Sequence, residues 1–309
     1  MFTYGLLVLG LVGLFLGGDW LVRGASAIAL RFAVPPLVVG LTIVGFGTST
    51  PELLVSLRAA SDGLAGIAIG NVVGSNIANI ALILGIAAVV APPAARFADL
   101  RRDLLWMTGA ALVLPLIFWS GFVGPFEGLV LIAGLGIYLW SSFNALSPAL
   151  PSTAGQPARS ALLPAIGFTA AGLVAVMLGA SALVDSASTI ARELGVSDAM
   201  IGLSIVAIGT SLPELATTVS AALKGQRDIA LGNVIGSNIF NIFAILGVTA
   251  IITPIDVDLR FLTFDTPVLI GLTALIVAVI AIRGQLSRGF GALLIAGYIC
   301  YIWAGTALA

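Results

Sequence analysis

Two glutamates lie in the middle of apolar stretches, and hydroxyl side chains precede both at the same spacing. Thr48 and Ser49 come four and three positions before Glu52, and Thr210 and Ser211 come four and three positions before Glu214. Residues three and four apart share a helical face, so carboxylate and hydroxyl oxygens point the same way. Such oxygens are good ligands for Ca²⁺, Na⁺ and Mg²⁺ and poor ligands for copper or zinc.

A carboxylate needs a partner if such a stretch crosses a bilayer, because a charge at the bilayer centre costs about 2.5–3.5 kcal/mol on insertion scales. Neither motif contains Lys or Arg. The partner we expect is therefore a bound cation, or a proton when no cation is bound. Pro51 and Pro213 directly precede the glutamates and lack the N–H that a helix interior uses, so we predict a backbone kink at each.

A second repeated segment supplies amide and hydroxyl groups. GNVVGSNIANI covers 70–80, and GNVIGSNIFNI covers 232–242. Ser75 shares a helical face with Asn79, and Ser237 shares one with Asn241. The other asparagines fit two interpretations equally well, as part of the same site or as hydrogen-bonding groups between helices: Asn71, Asn76, Asn233 and Asn238.

The composition indicates that lipid surrounds these stretches. Of 309 residues, 60% are hydrophobic and 9% are charged, with a mean hydropathy of +1.17, whereas soluble domains carry about 25% charged residues. The absence of histidine excludes Ser-His-Asp hydrolases and HExxH zinc proteases. The net charge of −1 offers no basic surface for nucleic acid. We expect the lipid bilayer and small inorganic cations as partners, and no cofactor.

Apolar runs between polar or proline-bearing breaks predict an all-α integral membrane protein with ten transmembrane helices. They lie near 4–30, 35–60, 65–90, 104–120, 124–143, 162–191, 197–223, 228–252, 266–282 and 290–307. We predict a first five-helix repeat at 1–143, a cytoplasmic linker at 144–161 and a second repeat at 162–309. Basic residues favour the loops opposite the termini by nine to three, which predicts both termini outside the cell and a location in the plasma membrane.

The two halves of the chain are related by sequence. A shift of 162 residues aligns 16–92 with 178–254 without a gap, and the matches gather on Gly, Thr, Ser, Pro, Glu and Asn. Five spans per half invert the second repeat relative to the first. Inverted repeats with helix breaks at matching places are typical of transporters with a site at the membrane midplane. We therefore expect Glu52 and Glu214 to face each other at mid-depth.

Charged residues outside these motifs are predicted to have other roles. Asp19 and Arg23 are spaced i, i+4, which predicts an ion pair within one helix. Asp99 and Asp103 are interleaved with three arginines, which is typical of a solvated loop. Asp265 lies near a span end and is predicted to be interfacial.

The paired GTSxPE and GNxxGSNIxN segments resemble the two α-repeats of the cation/Ca²⁺ exchanger superfamily, in particular its prokaryotic sodium/calcium exchangers. The resemblance covers the whole ten-span plan and implies electrogenic exchange of three Na⁺ for one Ca²⁺. It implies that Glu52 and Glu214 are the central Ca²⁺ ligands. Some microbial relatives carry an acidic residue at the position of Asn241. In this chain both middle positions, 79 and 241, are Asn, so the site has only two ionisable groups. The remaining ligands that the resemblance implies are Thr48, Ser49, Thr210 and Ser211, the carbonyls of Gly45 and Ala207, the hydroxyls of Ser75 and Ser237, and Asn79 with Asn241 in the middle.

The expected function is secondary antiport of Ca²⁺ against Na⁺ by alternating access, with no enzymatic chemistry. Two protons could replace one Ca²⁺ on the same two carboxylates, and residue chemistry does not decide between Na⁺ and H⁺. A cation channel is a weaker alternative, because a pore uses rings of ligands from several subunits. An enzyme is weaker still, because no His or Lys lies beside Ser49 or Ser211. The resemblance implies that the long first and sixth spans form a sliding gate.

Overall fold

A computed structural model describes residues 2–32, 34–93, 96–144, 162–195 and 207–307. Helices occupy most of them: α1 (Phe2–Phe32), α2 (Pro36–Thr48), α3 (Thr50–Ser61), α4 (Ala65–Val90), α5 (Phe97–Phe118), α6 (Pro125–Asn144), α7 (Leu162–Glu193), α8 (Ala207–Gly209), α9 (Leu212–Leu223), α10 (Arg227–Ile252), α11 (Phe261–Arg283) and α12 (Arg288–Ala307). Two short strands, β1 (Phe122–Val123) and β2 (Ile255–Asp256), pair antiparallel. The fold is thus helical, as predicted, apart from this two-residue ladder.

The number of spans is established only in part. Within the described ranges, seven helices are long and apolar enough to cross a bilayer, and the bent pair α2–α3 makes eight. The first half of α5 carries several charged residues, which shortens its apolar part. The stretch 196–206, ahead of α8, and the predicted linker from 145 onward lie outside the described residues. Ten spans in two inverted repeats therefore remain a prediction.

Burial separates central helices from peripheral ones. Most residues of α4 and α10 are buried, whereas at most about a third of the residues in the spanning parts of α1, α6, α7, α11 and α12 are buried. Large apolar side chains such as Phe15, Leu178, Ile282 and Trp303 lie on the exposed surface. An apolar surface of this extent is not stable in water and fits a lipid environment. The molecule is a multi-pass integral membrane protein with α4 and α10 at its centre.

Glycines bring the backbones of α1 and α7 into close contact along most of their length. A Cβ added at Gly172 would lie 2.3 Å from the backbone nitrogen of Leu21, and one added at Gly24 would lie 2.4 Å from that of Thr169. Side chains larger than hydrogen are therefore excluded at these positions. Small residues at such interfaces are typical of helix pairs in membranes.

The helices break at matching places in the two halves. Between α2 and α3 the chain bends by 41°. Ser49, at this break, has φ −83° and ψ 4°, and Ser211, just before α9, has φ −89° and ψ 6°. In each case proline occupies the second position of the following helix, where its missing N–H costs nothing. Both α4 and α10 contain a π-helical turn, at Asn79–Ile83 and Asn241–Leu246, and such turns are frequent at functional sites.

One prediction about acidic residues is wrong. Asp103 is not in a solvated loop but inside α5, 1% exposed, where it pairs with Arg102. It lies on the same helical face as the buried Leu100 and Met107, so the periodicity of α5 directs it inward. Asp265 lies near the start of α11, as the sequence indicates, and there it is 2% exposed and accepts a hydrogen bond of 2.7 Å from the hydroxyl of Tyr301 on α12.

Candidate cation site

The two halves of the chain meet through a crossed pair of hydroxyl–carboxylate hydrogen bonds. Ser49 donates to Oε1 of Glu214 at 2.9 Å, and Ser211 donates to Oε1 of Glu52 at 3.2 Å. Both glutamates are only 1% exposed, and within the described residues neither Oε2 atom has a hydrogen-bond partner. Buried polar atoms are nearly always satisfied in native proteins. These two oxygens are therefore free to bind a cation.

Neutral oxygens surround the carboxylate of Glu214. The carbonyl oxygen of Gly45 accepts hydrogen bonds from the hydroxyls of Thr48 (3.3 Å) and Ser237 (3.4 Å), and both hydroxyls face Glu214. Because α2 ends at Thr48, its last carbonyls and the negative end of its dipole point toward this cluster. Carbonyl, hydroxyl and carboxylate oxygens at one point form an environment that favours a hard cation.

Two amides lie at the start of the π-helical turns. Asn79 and Asn241 are each 1% exposed. In the part of the chain that the structure describes, both side-chain polar atoms of Asn79 and Oδ1 of Asn241 have no hydrogen-bond partner. Nδ2 of Asn241 donates to Oδ1 of Asn76 at 3.0 Å, and Nδ2 of Asn76 donates to the carbonyl of Asn238 at 3.3 Å. Asn76 thus connects α4 with α10, whereas Asn79 and Asn241 keep oxygens available.

Asn71 and Asn233 occupy equivalent positions behind the glutamates. Nδ2 of Asn71 donates to the carbonyl oxygen of Glu52 (2.9 Å) and to Oγ of Ser56 (2.8 Å). Nδ2 of Asn233 does the same with Glu214 (3.2 Å) and Thr218 (2.9 Å). Sequence reasoning missed Ser56 and Thr218, although a signal was present, because each lies four residues after its glutamate and 162 residues from the other.

The remaining predicted ligands lie on α4, on α8 and in the turn after α8. Ser75 is buried on α4, four residues before Asn79. Thr210 is partly buried, and its hydroxyl donates to Oδ1 of Asn71 at 3.5 Å. Ala207 is the first residue of α8, and the residues directly before it lie outside the described part of the chain.

This combination of fold and site defines a class of protein. Buried carboxylates with neutral oxygens around them, at breaks in membrane helices, are typical of secondary transporters for small cations. The chain belongs to the sodium/calcium exchanger protein family, whose model matches residues 2–144 and 164–306. It is accordingly a membrane transporter of the antiporter type, and its family consists of exchangers rather than enzymes.

Individual relatives align over nearly the full length. The chain is 34% identical to the sodium/calcium exchanger MaX1 of Methanosarcina acetivorans, with 96% of both proteins covered. It is 36% identical to the inner membrane protein YrbG of Escherichia coli, with 96% of the chain and 94% of YrbG covered. Among solved structures, the sodium-calcium exchanger NCX_Mj superposes with a TM-score of 0.86 at 34% identity, covering 98% of both chains.

Proposed function

We propose that this protein exchanges Ca²⁺ for Na⁺ across the plasma membrane by alternating access, with Ca²⁺ bound between Glu52 and Glu214. The observation that carries the proposal is the crossed pair of buried carboxylates, each with one oxygen that no hydrogen bond among the described residues satisfies. Two carboxylates neutralise one Ca²⁺, which takes six to eight oxygen ligands. Family membership supports the choice, and so do the names of MaX1 and NCX_Mj as sodium/calcium exchangers.

The proposed ligand set divides into a centre and its surroundings. Ca²⁺ binds the carboxylates at the centre, and Na⁺ occupies the neutral oxygens around them when Ca²⁺ leaves. We assign Asn79 and Asn241 to the middle of the site, because no described residue donates a hydrogen bond to their amide oxygens. The other proposed ligands are the hydroxyls of Thr48, Ser49, Thr210, Ser211, Ser75 and Ser237 and the carbonyls of Gly45 and Ala207.

The neutral oxygens favour Na⁺ over H⁺ as the counter-ion. A proton needs only a carboxylate, whereas Na⁺ needs several oxygens, such as those of Gly45, Thr48 and Ser237, which lie together beside Glu214. The alternative is H⁺/Ca²⁺ exchange on the same two carboxylates. A more distant relative, the Ca(2+)/H(+) antiporter ChaA of Bacillus subtilis, is 26% identical over 89% of the chain.

The proposed architecture has ten spans in two inverted repeats, 1–143 and 162–309, joined by a cytoplasmic linker at 144–161, with both termini outside. The similar backbone angles at Ser49 and Ser211 support it, as does the division of the family match into two segments. Helices α1 and α7 lie outside the ligand motifs and contact each other through glycines. We assign them the role of the moving gate.

Flux into proteoliposomes tests the proposal. An outward Na⁺ gradient should drive uptake of labelled Ca²⁺, and a pH gradient of the same size should not. Uptake driven by the pH gradient alone would select the H⁺ alternative. With the membrane potential clamped at zero, Ca²⁺ trapped inside should accelerate uptake of labelled Ca²⁺ through an exchanger, whereas a channel shows no such dependence. Absence of Ca²⁺ movement under every gradient would refute the proposed function.

A further inference from the structure

Asn71 and Asn233 make contacts in two directions that the ligand set does not explain. The Nδ2 group of each contacts the half of the chain that carries its own glutamate. The Oδ1 atom accepts from the other half: Thr48 donates to Asn233 at 3.2 Å, and Thr210 donates to Asn71 at 3.5 Å. Each amide therefore joins the backbone of one glutamate to the hydroxyl that precedes the other glutamate.

The contacts determine how each amide is oriented. The carbonyl oxygen of Glu214 can only accept a hydrogen bond, so the side of the Asn233 amide that faces it must be Nδ2. The hydroxyl of Thr218 lies at the same side, 2.9 Å from Nδ2. Oδ1 is then directed at Thr48. In the first half, Ser56 donates its own proton to the carbonyl of Ala68 at 3.3 Å, which leaves its oxygen to accept from Asn71.

An acceptor for the threonine proton matters for cation binding. A hydroxyl binds a cation through its lone pairs, so its proton must be directed away from the cation. Thr48 has two competing acceptors on its own helix, the carbonyls of Val44 (3.1 Å) and Gly45 (3.3 Å). A bond to Gly45 occupies a carbonyl oxygen that belongs to the proposed sodium site. Asn233 offers the proton a third acceptor that lies outside the proposed ligand set.

We propose that Asn71 and Asn233 are positioning residues for cation binding, each holding the glutamate backbone of its own half and the threonine hydroxyl of the other. This inference rests on the proposed function, because the cation is the one that the glutamates bind. Groups that orient metal ligands commonly change affinity by about 10- to 100-fold when they are removed. The crossed arrangement also means that neither half can complete its ligands without the other.

The two asparagines differ in burial and in the length of their hydrogen bonds with threonine. Asn233 is fully buried and its contact with Thr48 is shorter, whereas Asn71 is partly buried and its contact with Thr210 is longer. Replacement of Asn233 should therefore raise the Ca²⁺ concentration for half-maximal transport more than replacement of Asn71 does.

The test measures half-saturation and maximal rate separately, in proteoliposomes with a fixed Na⁺ gradient. Asn233→Ala should raise the half-saturating Ca²⁺ concentration about 10-fold or more. Thr218→Val removes one contact and leaves those to Glu214 and Thr48, so it should cause a smaller rise. In the Thr48→Val background, Asn233→Ala should raise the half-saturating Ca²⁺ concentration by a smaller factor than it does in the wild type. The reason is that the effects of substitutions at contacting residues are not additive.

A purely structural role predicts a different pattern. Asn233→Ala would then lower the melting temperature and the amount of active protein, with half-saturation unchanged, and its effect would add to that of Thr48→Val. That result would overturn the inference while wild-type Ca²⁺ flux stands. If Asn233→Ala cannot be purified as a folded protein, Thr218→Val provides the test. A raised half-saturating Ca²⁺ concentration in Thr218→Val supports the inference, and a wild-type value contradicts it. If the wild-type chain moves no Ca²⁺, the proposed function fails and the inference fails with it.

Discussion

An ion pair joins α1 to the end of α9 and is predicted to stabilise the conformation described here. Nζ of Lys224 contacts Oδ1 of Asp19 and donates to the backbone oxygen of Asp19 at 2.8 Å. The predicted pair of Asp19 with Arg23 is also present, at 2.7 Å, but it lies within α1. Lys224, directly after α9, links Asp19 by an ion pair to the helix that carries Glu214. If α1 moves as a gate, this contact must break.

The stabilisation that the Lys224–Asp19 ion pair provides depends on how exposed the two side chains are. The side chains of Lys224 and Asp19 are 27% and 20% exposed, so the pair is partly screened and contributes about 1 kcal/mol. This corresponds to a factor of about five in the equilibrium between the two conformations. Lys224→Met should shift the equilibrium by this amount. Asp19→Asn should shift it less, because the backbone oxygen of Asp19 still accepts from Lys224.

A distance measurement gives the population directly. Spin labels at Leu30 on α1 and Arg227 on α10, both exposed, would be introduced in a Cys300→Ala background. Lys224→Met should enlarge a second distance population about five-fold. The matched control is Arg58→Met, which removes the exposed pair of Arg58 with Asp62 at the end of α3. Equal distance distributions in Lys224→Met, the control and the wild type would refute the argument.

Two further predictions concern packing. Gly172→Val should abolish exchange, because its Cβ would lie 2.3 Å from a backbone nitrogen of α1. Gly167→Val on the same helix should retain exchange, because no described atom lies within 4 Å of the added Cβ. Equal Na⁺-driven Ca²⁺ flux in the two variants would contradict this prediction. Tyr301→Phe removes the hydroxyl that donates to buried Asp265 and should lower the free energy of unfolding by about 1–3 kcal/mol. Tyr4→Phe is the control, because Tyr4 is exposed and its replacement should leave the free energy of unfolding unchanged. Thermal unfolding in detergent measures both variants, and equal melting temperatures would contradict the prediction.

Repetition in the sequence accounts for most of what could be predicted about the site. The equal spacing of Thr, Ser, Pro and Glu at 48–52 and 210–214 predicts two kinks and two carboxylates that face each other. In the structure, Ser49 contacts Glu214 and Ser211 contacts Glu52. Spacing alone does not show that the hydroxyls cross to the opposite carboxylate, because crossing depends on how the two kinked segments pack.

Predictions from charge alone were less successful. Counting arginines near Asp103 predicted a solvated loop, but the burial of one face of α5 determines the position of that side chain. The position of Asp265 near a span end is visible in the sequence, but its contact with Tyr301 is not, because the two residues are 36 positions apart. The two interpretations of Asn71 and Asn233 could not be separated either, since their partners lie on α2, α3 and α9 and in the turn between α8 and α9, and only tertiary packing brings them together.

The central claim is that Glu52 and Glu214 together bind the transported Ca²⁺. The most direct measurement is Na⁺-driven uptake of labelled Ca²⁺ by Glu52→Gln and Glu214→Gln in proteoliposomes. The control is Glu127→Gln, because Glu127 accepts from the backbone N–H of Gly124 at the start of α6 and glutamine can accept the same bond. We predict that both site variants lose uptake and that the control keeps it. Wild-type uptake in either site variant would contradict the account.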